Sequence, residues 1–186
     1  MPTVYRVLTD PDVYRSIRCD DMKSIMQIQF DGSPIGDGWS PPPSYVPFPR
    51  KKAGDFYGCY SNDSLFAVTK DAAALLATFW DQSCEMLPIP SDNDALLLCN
   101  VTLVVNCLDE KQSSHKPGIP HWIDTYVFHS QRFEHSLFKI PQTCMSEILC
   151  VEGLPGGDDG FKKSVDNLGL SGLRFEEIWT DNDGGR

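Results

Sequence analysis

The apolar residues near the end of the chain have the spacing of a helix. Phe161, Val165 and Leu168 fall at positions i, i+4 and i+7, so they share one helical face. Gly169 follows directly and suits the left-handed residue that closes a helix. The pattern therefore predicts a helix over residues 161–168 with one buried face.

A different period follows this helix. Leu173, Phe175 and Trp179 lie at even spacing, and strand residues two positions apart point to the same side of a sheet. The sequence therefore predicts that the chain turns directly into a closing strand with one buried face.

The middle of the chain predicts a strand, a helix and a second strand. The run Leu65-Phe-Ala-Val-Thr69 is strand-like and ends at a residue that suits a helix N-cap. The apolar face of the helix after it is formed by Ala73, Leu76, Ala77 and Trp80. Pro88 and Pro90 are expected to end this unit. Residues 95–106 are the strongest strand candidate, apolar enough for the centre of a sheet.

The remaining predicted elements are short. Strands are predicted over residues 3–8, 125–128, 136–140 and 147–151, with a strand or helix over residues 24–30. Strands outnumber helices, and hairpin-length connections predominate. We therefore predict an α+β fold, a largely antiparallel sheet with a few helices packed on one side, as a single domain over residues 1–186.

Two segments depart from this pattern. Residues 31–55 are too rich in proline and glycine for a helix or a central strand, so they predict a long loop. Loops of this length are functional or serve as flexible connections. Its aromatic residues, among them Trp39 and Tyr45, must either pack on the domain or contact a partner. Residues 180–186 are predicted to be a frayed tail.

Composition narrows the class of protein. The chain has 186 residues and a formal net charge of −10, which disfavours nucleic acid as a ligand because phosphate binding needs a basic surface. Its seven cysteines are an odd number, and the first residues lack the apolar core of a signal peptide. The longest apolar run is too short to cross a bilayer. We expect a cytoplasmic protein with reduced thiols and no membrane anchor.

The charge is unevenly distributed along the sequence. Residues 61–186 carry nine basic and nineteen acidic side chains, whereas residues 1–60 carry seven of each. An acidic surface keeps a domain soluble, and it also steers a basic protein partner toward it.

The candidate catalytic and metal-binding groups are weak. The four histidines are spaced six, eight and six positions apart, which matches neither a helical face nor a zinc-ligand interval, so no metal or other cofactor is expected. Cys144 with His129 or His135 is the best candidate for a nucleophile and base. Asp109 and Glu110 form a candidate acid pair, although a solvated pair at a strand end is the simpler interpretation.

The glycine-rich residues 153–160 resemble a phosphate-binding loop only superficially. They lack the Gly-Lys-Ser/Thr ending, and Asp158 and Asp159 would repel a phosphate. These two carboxylates suit the positive end of the helix that follows.

Several short segments, taken in order, resemble immunity protein family eleven of bacterial polymorphic toxin systems. They cover residues 65–179, nearly two thirds of the chain. The segments are Leu65-Phe-Ala-Val-Thr69, Glu85-Met-Leu-Pro88, Asn100-Val101, Cys107-Leu-Asp109 with Ser113, Tyr126-Val-Phe128, Leu137-Phe-Lys139, and Gly169-Leu-Ser-Gly-Leu-Arg-Phe175 to Trp179.

The resemblance implies a protein that binds and neutralises a cognate toxin and catalyses no reaction of its own. Acidic side chains would then attract a basic toxin, and loop aromatics would anchor it. The candidate contact residues are Trp39, Tyr45, Asp109, Glu110, Asp158 and Asp159. Two alternatives stay open: a small cysteine- or carboxylate-dependent enzyme, and a binding module unrelated to toxins. The sequence leaves the oligomeric state open.

Overall fold

The computed structural model describes residues 1–41, 43–60, 62–90, 95–154 and 159–181. Its strands are β1 (Thr3–Thr9), β2 (Ser16–Cys19), β3 (Ser44–Tyr45), β4 (Phe56–Cys59), β5 (Asn62–Thr69), β6 (Cys84–Ile89), β7 (Leu96–Val101), β8 (Ser114–His115), β9 (Ile123–Thr125), β10 (Leu137–Phe138), β11 (Leu149–Glu152) and β12 (Leu173–Thr180). Its helices are α1 (Met22–Gln27), α2 (Lys70–Leu75), α3 (Ala77–Ser83) and α4 (Phe161–Asn167), with 3₁₀ turns at Gly36–Gly38, Ser130–Arg132 and Pro141–Thr143.

The strands form two main sheets and one small hairpin. The six-stranded sheet has the order β3-β2-β4-β5-β7-β6, the four-stranded sheet has the order β10-β11-β1-β12, and β8 pairs with β9. Within the sheets the strand pairs are antiparallel apart from the parallel pair of β2 and β4. The predicted α+β class with largely antiparallel pairing is confirmed, with the strands divided between two sheets.

One apolar cluster joins both sheets to the helices. Phe161, at the start of α4, is fully buried in it. Its ring meets those of Phe56, Phe79, Trp80 and Phe175, with centroid distances from 5.5 to 6.4 Å. These edge-to-face contacts fix α4 against strands of both sheets and against α3.

Two further clusters cover the opposite face of each sheet. Along β5, Phe66 packs in the shared cluster and Ala67 packs in a second cluster beneath α1 and residues 28–46. Along β11, Cys150 packs in the shared cluster and Leu149 packs in a third cluster beneath residues 103–133. Because successive side chains point to opposite faces, the central strands are buried on both sides.

The predicted helix after Thr69 is present, but it is broken. The Thr69 hydroxyl accepts a hydrogen bond from the backbone N–H of Ala72 at 3.3 Å, which confirms the N-cap. The chain leaves helical geometry at Leu76 and starts again as α3. This break rotates the second half, so Ala77 is exposed and Ala72 is buried in its place.

Strand β6 was not predicted from the sequence, and β7 is shorter than predicted. Residues 84–89 form an edge strand that contains Pro88, where the proline pattern was expected only to end the helical unit. Proline is tolerated at a sheet edge because one side of the strand needs no N–H donor. The predicted strand over residues 95–106 ends at Val101, after which the chain crosses to the four-stranded sheet and forms a bridge between Val104 and Lys139.

The end of the chain confirms the predicted helix and strand but not the single buried face. Gly169 has a φ of +65°, as expected for the residue that closes α4, while Leu168 is 44% exposed. A bulge at Ile178 shifts the register of β12 against β1. Phe175 therefore packs in the cluster between the sheets, whereas Trp179 packs in the cluster on the outer face.

Residues 31–55 are largely irregular and contain one 3₁₀ turn and the short strand β3. The Glu85 carboxylate of β6 accepts hydrogen bonds from the backbone N–H groups of Ile35 and Gly36, at 2.8 and 2.7 Å. This segment is thus anchored along the edge of the six-stranded sheet. Of the predicted tail, Thr180 ends β12, Asp181 bonds to the carbonyl of Pro2, and residues 182–186 lie outside the described residues.

Candidate binding cleft

A cleft of about 770 Å³ opens between β1, α1 and the turn that joins β8 to β9. Arg6 and Val7 come from β1, Met22 and Met26 come from α1, and Trp122 comes from the turn. The cleft thus lies where the four-stranded sheet borders two elements outside it.

The rim of the cleft carries two large apolar side chains that face solvent. Met26 is 79% exposed and Trp122 is 54% exposed. A closed turn presents Trp122, because Lys116 and Trp122 are joined by a backbone hydrogen bond of 2.8 Å and the Lys116 ammonium lies 4.5 Å from the indole ring.

The guanidinium of Arg6 organises the polar side of the cleft. Its Nε donates to Glu147 at 2.9 Å, one terminal nitrogen donates to the Tyr126 hydroxyl at 3.0 Å, and the other donates to Glu176 at 2.7 Å. The Tyr126 hydroxyl donates to the second oxygen of Glu147 at 2.6 Å. Arg6, Tyr126 and Glu147 therefore form a closed ring of hydrogen bonds, which fixes their orientations.

This network fixes the protonation states of Arg6 and Tyr126. Burial would lower the pKa of Arg6, but the Glu147 carboxylate and the Tyr126 hydroxyl outweigh burial and raise it. Burial, followed by the contact with Glu147, raises the pKa of the Tyr126 hydroxyl. Arg6 thus stays cationic and Tyr126 stays neutral at physiological pH. The arrangement suits recognition of a surface better than proton transfer.

Asp109 and Glu110 lie away from this cleft and serve a turn. The Asp109 carboxylate accepts hydrogen bonds from the N–H groups of Lys111 and Gln112 and from the Gln112 side chain. Burial opposes ionisation of Asp109, but these hydrogen bonds lower its pKa. The exposed Glu110 accepts a hydrogen bond from Gln142 at 2.8 Å. Both residues thus hold loop geometry.

Trp39 and Tyr45 lie in the segment along the six-stranded sheet. The Trp39 indole N–H donates to the carbonyl of Pro88 at 2.7 Å, and its half-buried ring meets Phe30 edge to face. Trp39 is therefore packed on the domain. Tyr45 of β3 is 42% exposed and pairs with Arg18 of β2.

The other predicted groups are dispersed. Asp159 pairs with Lys163 at 2.6 Å, and Asp158 lies outside the described residues. Cys144 is exposed and has a φ of +52°. In the described part of the chain no hydrogen bond joins Cys144 to a histidine; His129 lies 3.9 Å from Asp109 instead.

Two kinds of feature are absent from the described residues. They contain no cluster of three or more His, Cys, Asp or Glu side chains placed to hold a metal ion. They also contain no helix long and apolar enough to span a membrane.

Sequence reasoning missed the residues that form the cleft. Arg6 read as an ordinary polar position of an alternating strand, and its partners Glu147 and Tyr126 are far from it in sequence. The sequence around Met26 and Trp122 does not indicate that their side chains are exposed, because exposure depends on tertiary packing. No protein-family model matches this chain, and no curated protein matches it.

Proposed function

We propose that this chain is a cytoplasmic, non-catalytic protein-binding domain that neutralises a cognate bacterial toxin, as an immunity protein does. The observation that carries the binding role is the composition of the cleft. Tryptophan, methionine and arginine are enriched in protein interfaces, and Trp122, Met26 and Arg6 meet there. The ordered segments over residues 65–179 that resemble the immunity family support the choice of a toxin as the partner.

The cleft supports binding by a rigid surface. Trp122 is held by its turn and its contact with Lys116, so little side-chain freedom is lost when it meets a partner. The Arg6 ring is already closed by Glu147 and Tyr126 and needs no rearrangement. Preorganised anchors of this kind favour tight complexes.

The charge of the chain supports a basic partner. The net charge of −10 attracts a cationic domain at long range and speeds its encounter. Contacts at the cleft would then determine how long the complex lasts.

Co-expression with a toxin domain encoded beside this chain tests the proposal. We expect rescue of growth and a one-to-one complex on size-exclusion chromatography with light scattering. A toxin that kills equally well with and without this protein contradicts the proposal. A stable complex without rescue of growth contradicts the immunity role and favours a binding module of another kind.

A further inference from the structure

Among the described residues, β12 has one long backbone edge with no strand beside it. The four-stranded sheet ends at β12 on one side and at β10 on the other. β12 has eight residues and pairs with β1 along one side. Apart from their pairing with β1, residues 173–180 make no backbone hydrogen bond to any other described residue outside β12.

The other sheet edges are short or covered. β3 and β10 have two residues each. Beyond β10, Lys139 exchanges backbone hydrogen bonds with Leu103 and Val105. β6 contains Pro88, and the segment with Trp39 is bonded along it. Proteins use such devices to keep edges from pairing with another chain.

The bulge at Ile178 protects only the end of β12. Residues 173–177 stay in regular register with β1, from Leu173 opposite Thr9 to Glu177 opposite Tyr5. This five-residue stretch is extended, and no strand among the described residues pairs with the backbone groups on its outer side, which can therefore accept a further strand.

We propose that residues 173–177 pair antiparallel with the same segment of a second copy of this chain, which joins the two four-stranded sheets. A two-fold axis requires a self-complementary surface. With the axis at Phe175, Arg174 lies opposite Glu176 of the second copy, and this pair occurs twice. Opposite charges and aromatic rings that face each other across strands both stabilise pairing.

The charges also select the register. Arg174 and Glu176 are both exposed, and Glu176 is held in place by Arg6 at 2.7 Å. An axis at Arg174 would place Arg174 opposite its own copy, and an axis at Glu176 would place Glu176 opposite its own copy; like charges directly opposite one another are destabilising. The sequence Arg-Phe-Glu therefore favours a second copy in one register as the occupant of this edge.

Sedimentation equilibrium over a concentration series up to about 100 µM tests the pairing, since a dimer's population depends on protomer concentration. We expect a dimer that Arg174→Glu weakens by about tenfold or more, because two attractive pairs become repulsive. Arg18→Glu is the matched control: it reverses an exposed arginine on β2, an interior strand of the other sheet, and should leave the dimer unchanged.

A mixture of charge variants tests the register. Arg174→Glu chains carry only acids at positions 174 and 176, and Glu176→Arg chains carry only bases. Mixed together they should form a heterodimer more stable than either homodimer. Because Glu176→Arg also removes the contact with Arg6, circular dichroism must first show that it folds.

In the wild-type dimer, hydrogen exchange of residues 173–177 should slow as concentration rises. A monomer at the highest concentration, a dimer insensitive to Arg174→Glu, or exchange independent of concentration would overturn the proposal.

Discussion

The Nζ atom of Lys139 donates a hydrogen bond to the carbonyl oxygen of Phe30 at 3.0 Å, and the lysine side chain is fully buried. This contact ties the strand region next to β10 to the start of the proline-rich segment. Burial lowers the pKa of Lys139 to about 8, although Cys99, Cys84 and Asp31 nearby act in the opposite direction. A lysine in this position links the stability of the fold to pH.

Replacement of Lys139 by methionine should remove this link. Between the folded pKa of about 8 and the ordinary pKa of 10.5, the unfolded chain holds a proton that the folded chain has lost. The free energy of unfolding of the wild type should therefore rise relative to Lys139→Met by about 3 kcal/mol across that interval. Urea unfolding of both proteins at several pH values measures the difference between their free energies of unfolding. Groups that titrate alike in both proteins cancel from this difference.

Lys70→Met is the control for this experiment, because it removes one positive charge from an exposed lysine. Its stability should follow the wild type over the same interval. A constant difference between wild type and Lys139→Met from pH 8 to 10.5 would contradict the prediction.

The packing of α4 predicts different costs for two phenylalanines. Phe161 is fully buried among four aromatic rings, so Phe161→Ala should lower the free energy of unfolding by about 3 to 5 kcal/mol. Phe175 is only half-buried on an edge strand, so Phe175→Ala should cost about 1 to 3 kcal/mol. Denaturant unfolding of both variants ranks them, and the reverse order would contradict this packing.

Local sequence patterns predicted the elements whose partners are close along the chain. The Thr69 cap, the Gly169 stop and the strand-like run of Leu65–Thr69 follow from residue chemistry that acts over a few positions. The bulge at Ile178 was not predictable in this way, because it arises from how β12 pairs with β1. The same limit applies to β6, whose Pro88 reads as a helix stop until the sheet edge is known.

Thiol labelling of the folded protein should modify one cysteine rapidly. Cys144 is exposed, whereas Cys84 is half-buried and the other five thiols are buried. Burial raises the pKa of Cys59 and Cys150 well above the ordinary value, which slows their reaction further. Mass spectrometry after brief iodoacetamide treatment should show a single adduct, absent from Cys144→Ser. All seven thiols should react in denaturant. Rapid modification of several thiols in the folded state would contradict the described burial.

Truncation of side chains at the cleft should weaken the binding of a partner without unfolding the domain. Trp122→Ala and Met26→Ala each remove an exposed side chain, so the free energy of unfolding should change by less than about 1 kcal/mol. Affinity for the toxin should fall by about 2 kcal/mol or more at Trp122 if it is a central anchor. Isothermal titration calorimetry measures this loss.

Leu75→Ala is the matched control, since Leu75 is exposed to a similar extent but does not line the cleft. Equal affinity losses for Trp122→Ala and Leu75→Ala would place the binding surface elsewhere.

Added salt should change the association rate with a partner more than the dissociation rate of the complex. If the proposed partner is basic, the acid excess steers it toward this chain, and the screening length of that attraction falls to about 8 Å at physiological ionic strength. The association rate in surface plasmon resonance should therefore decrease as salt rises, while the dissociation rate changes little. An association rate independent of salt would remove the electrostatic part of the proposal.

The candidate surface was harder to predict than the fold. Asp109 and Trp39 are residue types that often contact partners. In this structure, however, the polar group of each forms a hydrogen bond within the chain. Trp122 has no distinctive neighbours in sequence, and its exposure results from the turn closed by Lys116. Which aromatic side chain faces solvent depends on how each turn and loop packs on the rest of the fold, and no short sequence pattern predicts it.

The position of β1 inside its sheet has a consequence for synthesis on the ribosome. Its two neighbours are Leu149–Glu152 and Leu173–Thr180, so both partners of β1 are synthesised long after it. Until β11 has left the exit tunnel, Val4 and Val7, which are buried in the finished fold, have no strand to pair beside. Closure of such long loops slows folding. Nascent chains should therefore depend on a chaperone such as a ribosome-bound holdase until β11 and β12 have emerged from the ribosome.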